Sequence, residues 1–119
     1  MIDLVFEAHS LPTSEGVVIC TLYQTAESWL SKDDFVASVS APPVGDKAVC
    51  TFPNLPPGTY AVSFIQDVNT DGKMETSFFG FPKEPWGVSN DAPMRFGPPS
   101  FDDASFAHPS ATVPFGNTR

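Results

Sequence analysis

The sequence predicts an all-β fold, a single antiparallel β-sandwich, and three observations predict it. Short runs of alternating apolar and polar residues recur at 2–8, 17–23, 47–52 and 59–66. The 13 prolines and 8 glycines are scattered along the chain, which leaves room only for short elements joined by turns. The 11 phenylalanines and 2 tryptophans supply large side chains for a core, so the proline content does not signal disorder. A chain of 119 residues is long enough for one domain with its own core and too short for two. No internal repeat or linker is evident, and one domain is expected over residues 1–119.

Each element follows from local pattern. Residues 2–8 alternate loosely and read as a first strand, closed by a turn from Leu11-Pro12 to Glu15-Gly16. In the strand 17–23, Val18, Cys20 and Leu22 share one face and Val17, Ile19, Thr21 and Tyr23 the other. Residues 25–34 predict one or two helical turns, with Thr25 or Ser28 as the N-cap. A short strand over 35–40 ends at Pro42-Pro43. Residues 47–52 alternate again, with Ala48, Cys50 and Phe52 on one face, before the rigid turn Asn54-Leu55-Pro56-Pro57-Gly58.

The strand 59–66 is the clearest, with Tyr60, Val62 and Phe64 alternating against Thr59, Ala61, Ser63 and Ile65. From Asp67 to about Pro99 no periodicity is sustained. A loop of that length is commonly functional or ion-organised, and its many aromatic residues argue that it is ordered. A strand near 77–81 is compatible with it. Residues 105–107 and 111–115 can supply a last strand, which Pro114 places at an edge, and Asp102 can cap a turn over 103–105.

The net charge is −8, from 14 acidic and 6 basic side chains. That balance argues against nucleic acid and anionic membranes as partners and suits a cation or a basic protein. No apolar run is long enough to span a bilayer. The opening Met-Ile-Asp-Leu-Val-Phe carries no secretory leader, so a cytoplasmic location is expected if the chain is complete. On the same ground Cys20 and Cys50 are expected to be free thiols, with a strand-to-strand disulfide as the alternative.

The sharpest chemical signal is the run Asp67-Val-Asn69-Thr-Asp71-Gly72-Lys73-Met-Glu75. Oxygen ligands at alternate positions can converge on one hard cation, and the glycine permits the sharp turn this needs. Against an EF-hand loop, Asp67, Asn69 and Asp71 take the first, third and fifth positions and Gly72 the sixth. Lys73 would offer its carbonyl and Glu75 falls at the ninth, but the twelfth is Phe78 rather than a bidentate Glu. A strand, not a helix, enters the run. An EF-like Ca²⁺ loop on a β scaffold is therefore expected, with Glu75, Asp91, Asp102 or Asp103 as the remaining carboxylate. The alternative is an ordinary Asp/Asn/Gly turn whose side chains bond their own backbone.

Aromatic residues interleaved with Gly and Pro follow, among them Phe81, Trp86 and Phe96. They suit either a rigid surface for a protein or glycan partner or a satellite core that holds the loop, the latter being the simpler. Lys83, Glu84 and Asn90 would then fix the loop or line a groove. No nucleophile elbow, HExxH, P-loop or CxxC is present, and His9 and His108 read as surface or turn residues, so no catalytic residue is assigned.

The series Gly16-x-Val18-x-Cys20-x-Leu22-Tyr23, Phe52-x-x-Leu55-Pro56-Pro57-Gly58-Thr59-Tyr60-Ala61-Val62, Asp67-x-Asn69-x-Asp71-Gly72-Lys73, Gly80-Phe81-Pro82-Lys83-Glu84-x-x-Gly87-x-Ser89-Asn90 and 96–104 closely resembles the bacterial family DUF2141. The resemblance covers roughly residues 3–115, and the ordered combination is far more specific than Leu-Pro-Pro-Gly-Thr-Tyr alone. It implies an immunoglobulin-like or prealbumin-like sandwich, usually exported to the periplasm or cell envelope, with no established activity. Gln66 stands where the family often has His. The expected function is thus a non-catalytic binding or structural module stabilised by Ca²⁺. The alternative is a small hydrolase or small-ligand carrier that uses the aromatic loop as a pocket.

Overall fold

The computed structural model describes residues 2–31, 33–67, 85–94, 98–110 and 112–118. Among the described residues eight strands form two sheets packed face to face: β1 (Ile2–His9), β2 (Val17–Tyr23), β3 (Ala37–Ala41), β4 (Ala48–Leu55), β5 (Gly58–Asp67), β6 (Trp86–Val88), β7 (Phe106–His108) and β8 (Phe115–Asn117). The smaller sheet has the order β4-β1-β8 and the larger β3-β2-β5-β6, with β7 also on β5. All pairings are antiparallel except β1 with β8, which run parallel.

The period-2 pattern places the core where the sequence puts it. Leu4, Phe6 and Ala8 of β1 and Ala48, Cys50 and Phe52 of β4 face Val18, Cys20 and Leu22 of β2 and Tyr60, Val62 and Phe64 of β5. At the centre the rings of Phe6 and Phe64 meet at 5.9 Å. Toward the β6–β8 side the sheets approach so closely that only glycine fits. A Cβ on Gly116 would lie 2.1 Å from the carbonyl oxygen of Val88, and one on Gly87 would lie 2.4 Å from the Phe64 ring.

Several sequence expectations are corrected. Residues 26–30 close as hydrogen-bonded turns, not as a helix, and Leu30 in the left-handed region (φ +64°) prevents continuation. Thr25 still caps the first turn, its Oγ1 accepting from the Ser28 N–H at 3.2 Å. The strand read at 47–52 runs on to Leu55, because Pro53 lies on an edge strand where a missing N–H is tolerated. The stretch after Asp67 is not loop throughout, since β6 lies within it. The last strand is two: β7 joins the larger sheet and β8 the smaller. Pro114 does precede an edge strand, and its carbonyl accepts from the Glu7 N–H. Helix appears instead as α1 (Phe101–Ala104), whose N-cap is Ser100 and not Asp102.

Candidate functional site

The acidic run begins at the end of β5. Alternation sends Gln66 into the core side and Asp67 to the opposite face, in register with Val17 of β2. Both residues are fully buried. The Gln66 side chain donates from Nε2 to the carbonyls of Thr13, at 2.6 Å, and Glu15, at 3.1 Å, which ties the β1–β2 turn to β5. Its backbone N–H donates to the Pro85 carbonyl at 2.8 Å, and Ile65 pairs with Trp86. The chain therefore leaves at Asp67 and re-enters at Pro85 through a neck closed by a backbone hydrogen bond.

Of the acidic run only Asp67 is described; Asn69, Asp71, Lys73 and Glu75 lie outside the described residues, as do Phe81, Phe96, Lys83, Glu84 and the strand read at 77–81. Among the described residues no group of three His, Cys, Asp or Glu gathers.

Trp86 lies half-buried on the outer face of the larger sheet, beside Ile65. It packs against a second apolar cluster of Ala61, Val88, Ala92 and Ala104, joined by Trp29 and Phe101. Trp29 ties this layer together: its indole N–H donates to the Pro99 carbonyl at 2.6 Å, and its ring meets Tyr23 and Phe101 edge-on. Trp86 thus sits in a satellite core, the arrangement that a long connection needs to be ordered.

Behind Trp86 a polar clamp holds the chain. Ser89 is fully buried; its Oγ accepts from the Val62 N–H at 3.0 Å and donates to the Ala104 carbonyl at 2.6 Å. It fills the gap on β5 between β7, which pairs with 58–60, and β6, which pairs with 63–65. Asn90, in the left-handed region at φ +60°, donates to the carbonyls of Ala104 and Ser105. Asn90 therefore fixes the chain. Asp91, offered as a remaining cation ligand, instead directs both carboxylate oxygens at Asn117 of β8. Asp102 and Asp103 sit in the first turn of α1, where the Asp103 N–H donates to the Ser100 cap. Ser89 and Asp91 carry the clamp, and sequence reasoning assigned neither to it; the Ser-Asn-Asp run beside a Gly-Val pair was the available signal.

The remaining reactive side chains have structural partners. His9 bonds Glu7 at 2.8 Å and stacks on Phe115. His108, read as a surface or turn residue, is instead the buried last residue of β7, packed on the Tyr60 ring; its Nε2–H donates to the Ile2 carbonyl at 3.0 Å. Burial raises the Tyr23 phenol above its ordinary value of 10.0, an effect opposed by a hydrogen bond with Ser63. Cys20 and Cys50 are free thiols in the core. An open groove of about 300 Å³ lies elsewhere, lined by Phe106, Thr112, Val113 and Phe115. No helix among the described residues is long and apolar enough to cross a membrane.

No curated protein and no solved structure was found to match the chain. A family match does exist and spans residues 7–114, taking in every strand from the middle of β1 to the residue before β8. Strands β2 to β7, the acidic run and the Gly87-Val88-Ser89-Asn90 segment fall within it, and the chain belongs to DUF2141, the family described as an uncharacterized protein conserved in bacteria.

Proposed function

We propose that this domain is a non-catalytic binding or structural module whose long β5–β6 connection is organised by Ca²⁺. The ligands would be the side chains of Asp67, Asn69, Asp71 and Glu75 and the carbonyl of Lys73. The observation that carries the reading is the closed neck. Asp67, the first oxygen of the alternating run, is held at a strand end by the Gln66–Pro85 hydrogen bond and by its register with Val17. A ligand at Asp67 would start from a fixed backbone, which would lower the ordering cost of binding. Net charge −8 favours a cation for the same reason that it disfavours nucleic acid.

The structural duties of His9, His108 and Asp91 support a non-catalytic role. The aromatic segment that includes Phe81, Trp86 and Phe96 would present the surface for a protein or glycan, with Trp86 as its anchor on the sandwich. The exported character implied by the family resemblance supports a periplasmic or envelope location.

Thermal melting with millimolar Ca²⁺ and with chelator tests the reading, together with calorimetric titration. Ca²⁺ at about 100 times its Kd should stabilise the fold by about 2.7 kcal/mol, a rise of several degrees in Tm. Asp71→Asn should weaken that rise. Identical melting in Ca²⁺ and chelator, with no heat of binding, would remove the ion from the proposal.

A further inference from the structure

Two cysteines face each other across the sandwich. In the larger sheet Cys20 of β2 pairs with Phe64 of β5; in the smaller, Cys50 of β4 pairs with Phe6 of β1. The Phe6 and Phe64 rings are in contact, so these two cross-strand pairs lie at the same level of the core. β4 and β3 touch along one side of the sandwich and β8 and β6 along the other. β4 therefore lies on the same side of β1 as β2 does of β5, and Cys50 comes over Cys20. Both side chains are buried in the same core cluster.

We propose that Cys20 and Cys50 are a thiol–disulfide pair, able to close one covalent bond between the two sheets on exchange with a small-molecule disulfide. With glutathione disulfide as the partner, one cysteine thiolate attacks it and releases a glutathione thiolate. The second cysteine thiolate then attacks the mixed disulfide and releases the other. Two cysteine thiols and one glutathione disulfide become one protein disulfide and two glutathione thiols, which take up the two protons.

Burial pushes the Cys20 thiol well above its ordinary value of 9.0, and the adjacent Cys50 thiol raises it further. Reduced Cys20 is thus held protonated, both thiols are shielded from solvent in the folded domain, and exchange accompanies folding or opening. The bond would close a loop of about 30 residues, which constrains the unfolded chain and raises Tm by about 10 °C.

The full chain is unfolded in guanidinium and refolded either in a glutathione redox buffer or in excess dithiothreitol. The glutathione sample should be a monomer lighter by two hydrogens, with no titratable thiol in denaturant and a Tm about 10 °C higher. Dithiothreitol should reverse the shift quickly only when denaturant is present. The proposal is overturned if both thiols survive refolding in glutathione, if the bond forms only between chains, or if the cross-linked monomer melts no higher. Cys50→Ala and Cys20→Val should each abolish the glutathione-dependent shift. A shift that persists in whichever variant folds overturns the assignment equally.

Discussion

Asp91 and Asn117 are joined by two hydrogen bonds at once. The Asn117 backbone N–H donates to Oδ1 at 2.6 Å and the Asn117 side-chain amide donates to Oδ2 at 2.7 Å. One residue follows β6 of the larger sheet and the other ends β8 of the smaller, so the pair fastens the two sheets at that edge. Asp91 holds a left-handed backbone (φ +50°) to make the contact.

Asp91→Ala should cost about 1–2 kcal/mol, because it removes both acceptors and leaves an alanine in left-handed backbone. Asp91→Asn keeps one oxygen for the Asn117 N–H and should cost less. Chemical denaturation of the two variants checks the order, and equal losses would show that the backbone contact carries nothing.

Ser89→Ala should cost about 1–3 kcal/mol, more than its small volume suggests. The Val62 N–H would lose its acceptor inside the fold, while the Ala104 carbonyl keeps the Asn90 amide. Amide hydrogen exchange at Val62 should accelerate more than at Phe64, which reads the local loss directly.

Gly116→Ala should be among the most damaging single-methyl additions. The new Cβ would meet backbone, the Val88 carbonyl, rather than a side chain that can swing away. A loss of about 3 kcal/mol or more is expected, read as a fall in Tm with β-sheet circular dichroism retained at low temperature. A variant as stable as the parent would mean that β8 is not held against β6.

Stability should fall at alkaline pH. Cys20 and Tyr23 both have folded values raised above their ordinary 9.0 and 10.0, chiefly by burial. The unfolded chain then loses its protons first, binds fewer than the native state, and stability declines as pH rises. The contribution is intact below about pH 9 and is lost progressively above it. Cys20→Ala should flatten the first part of that decline in denaturation midpoints measured from pH 8 to 11.

The sequence made the core legible wherever a strand was long enough to show its period. β2, β4 and β5 are each seven residues or longer, and every residue assigned to their inner faces is buried. β6, β7 and β8 have three residues each, too few for two full alternations, so β6 was missed and β7 and β8 were merged into one strand. The Ser89 and Asp91 contacts were illegible for a different reason. Their partners lie 27 and 26 residues away in sequence, and only the tertiary fold brings them together. The complete burial of Asp67 and the Gln66–Pro85 hydrogen bond beside it were illegible too, since Pro85 lies far along the chain and only the fold brings it to the end of β5.

Because β8 lies parallel to β1, pairing beside Glu7–His9, its far end sits at the opposite pole of the small sheet from Ile2. Eight extended residues separate those poles by roughly 26 Å. A fusion placed ahead of Ile2 would emerge from one pole and a fusion placed after Asn117 from the other. Copies joined in tandem would extend in a row, each adding its own length, whereas an antiparallel final strand would have doubled them back.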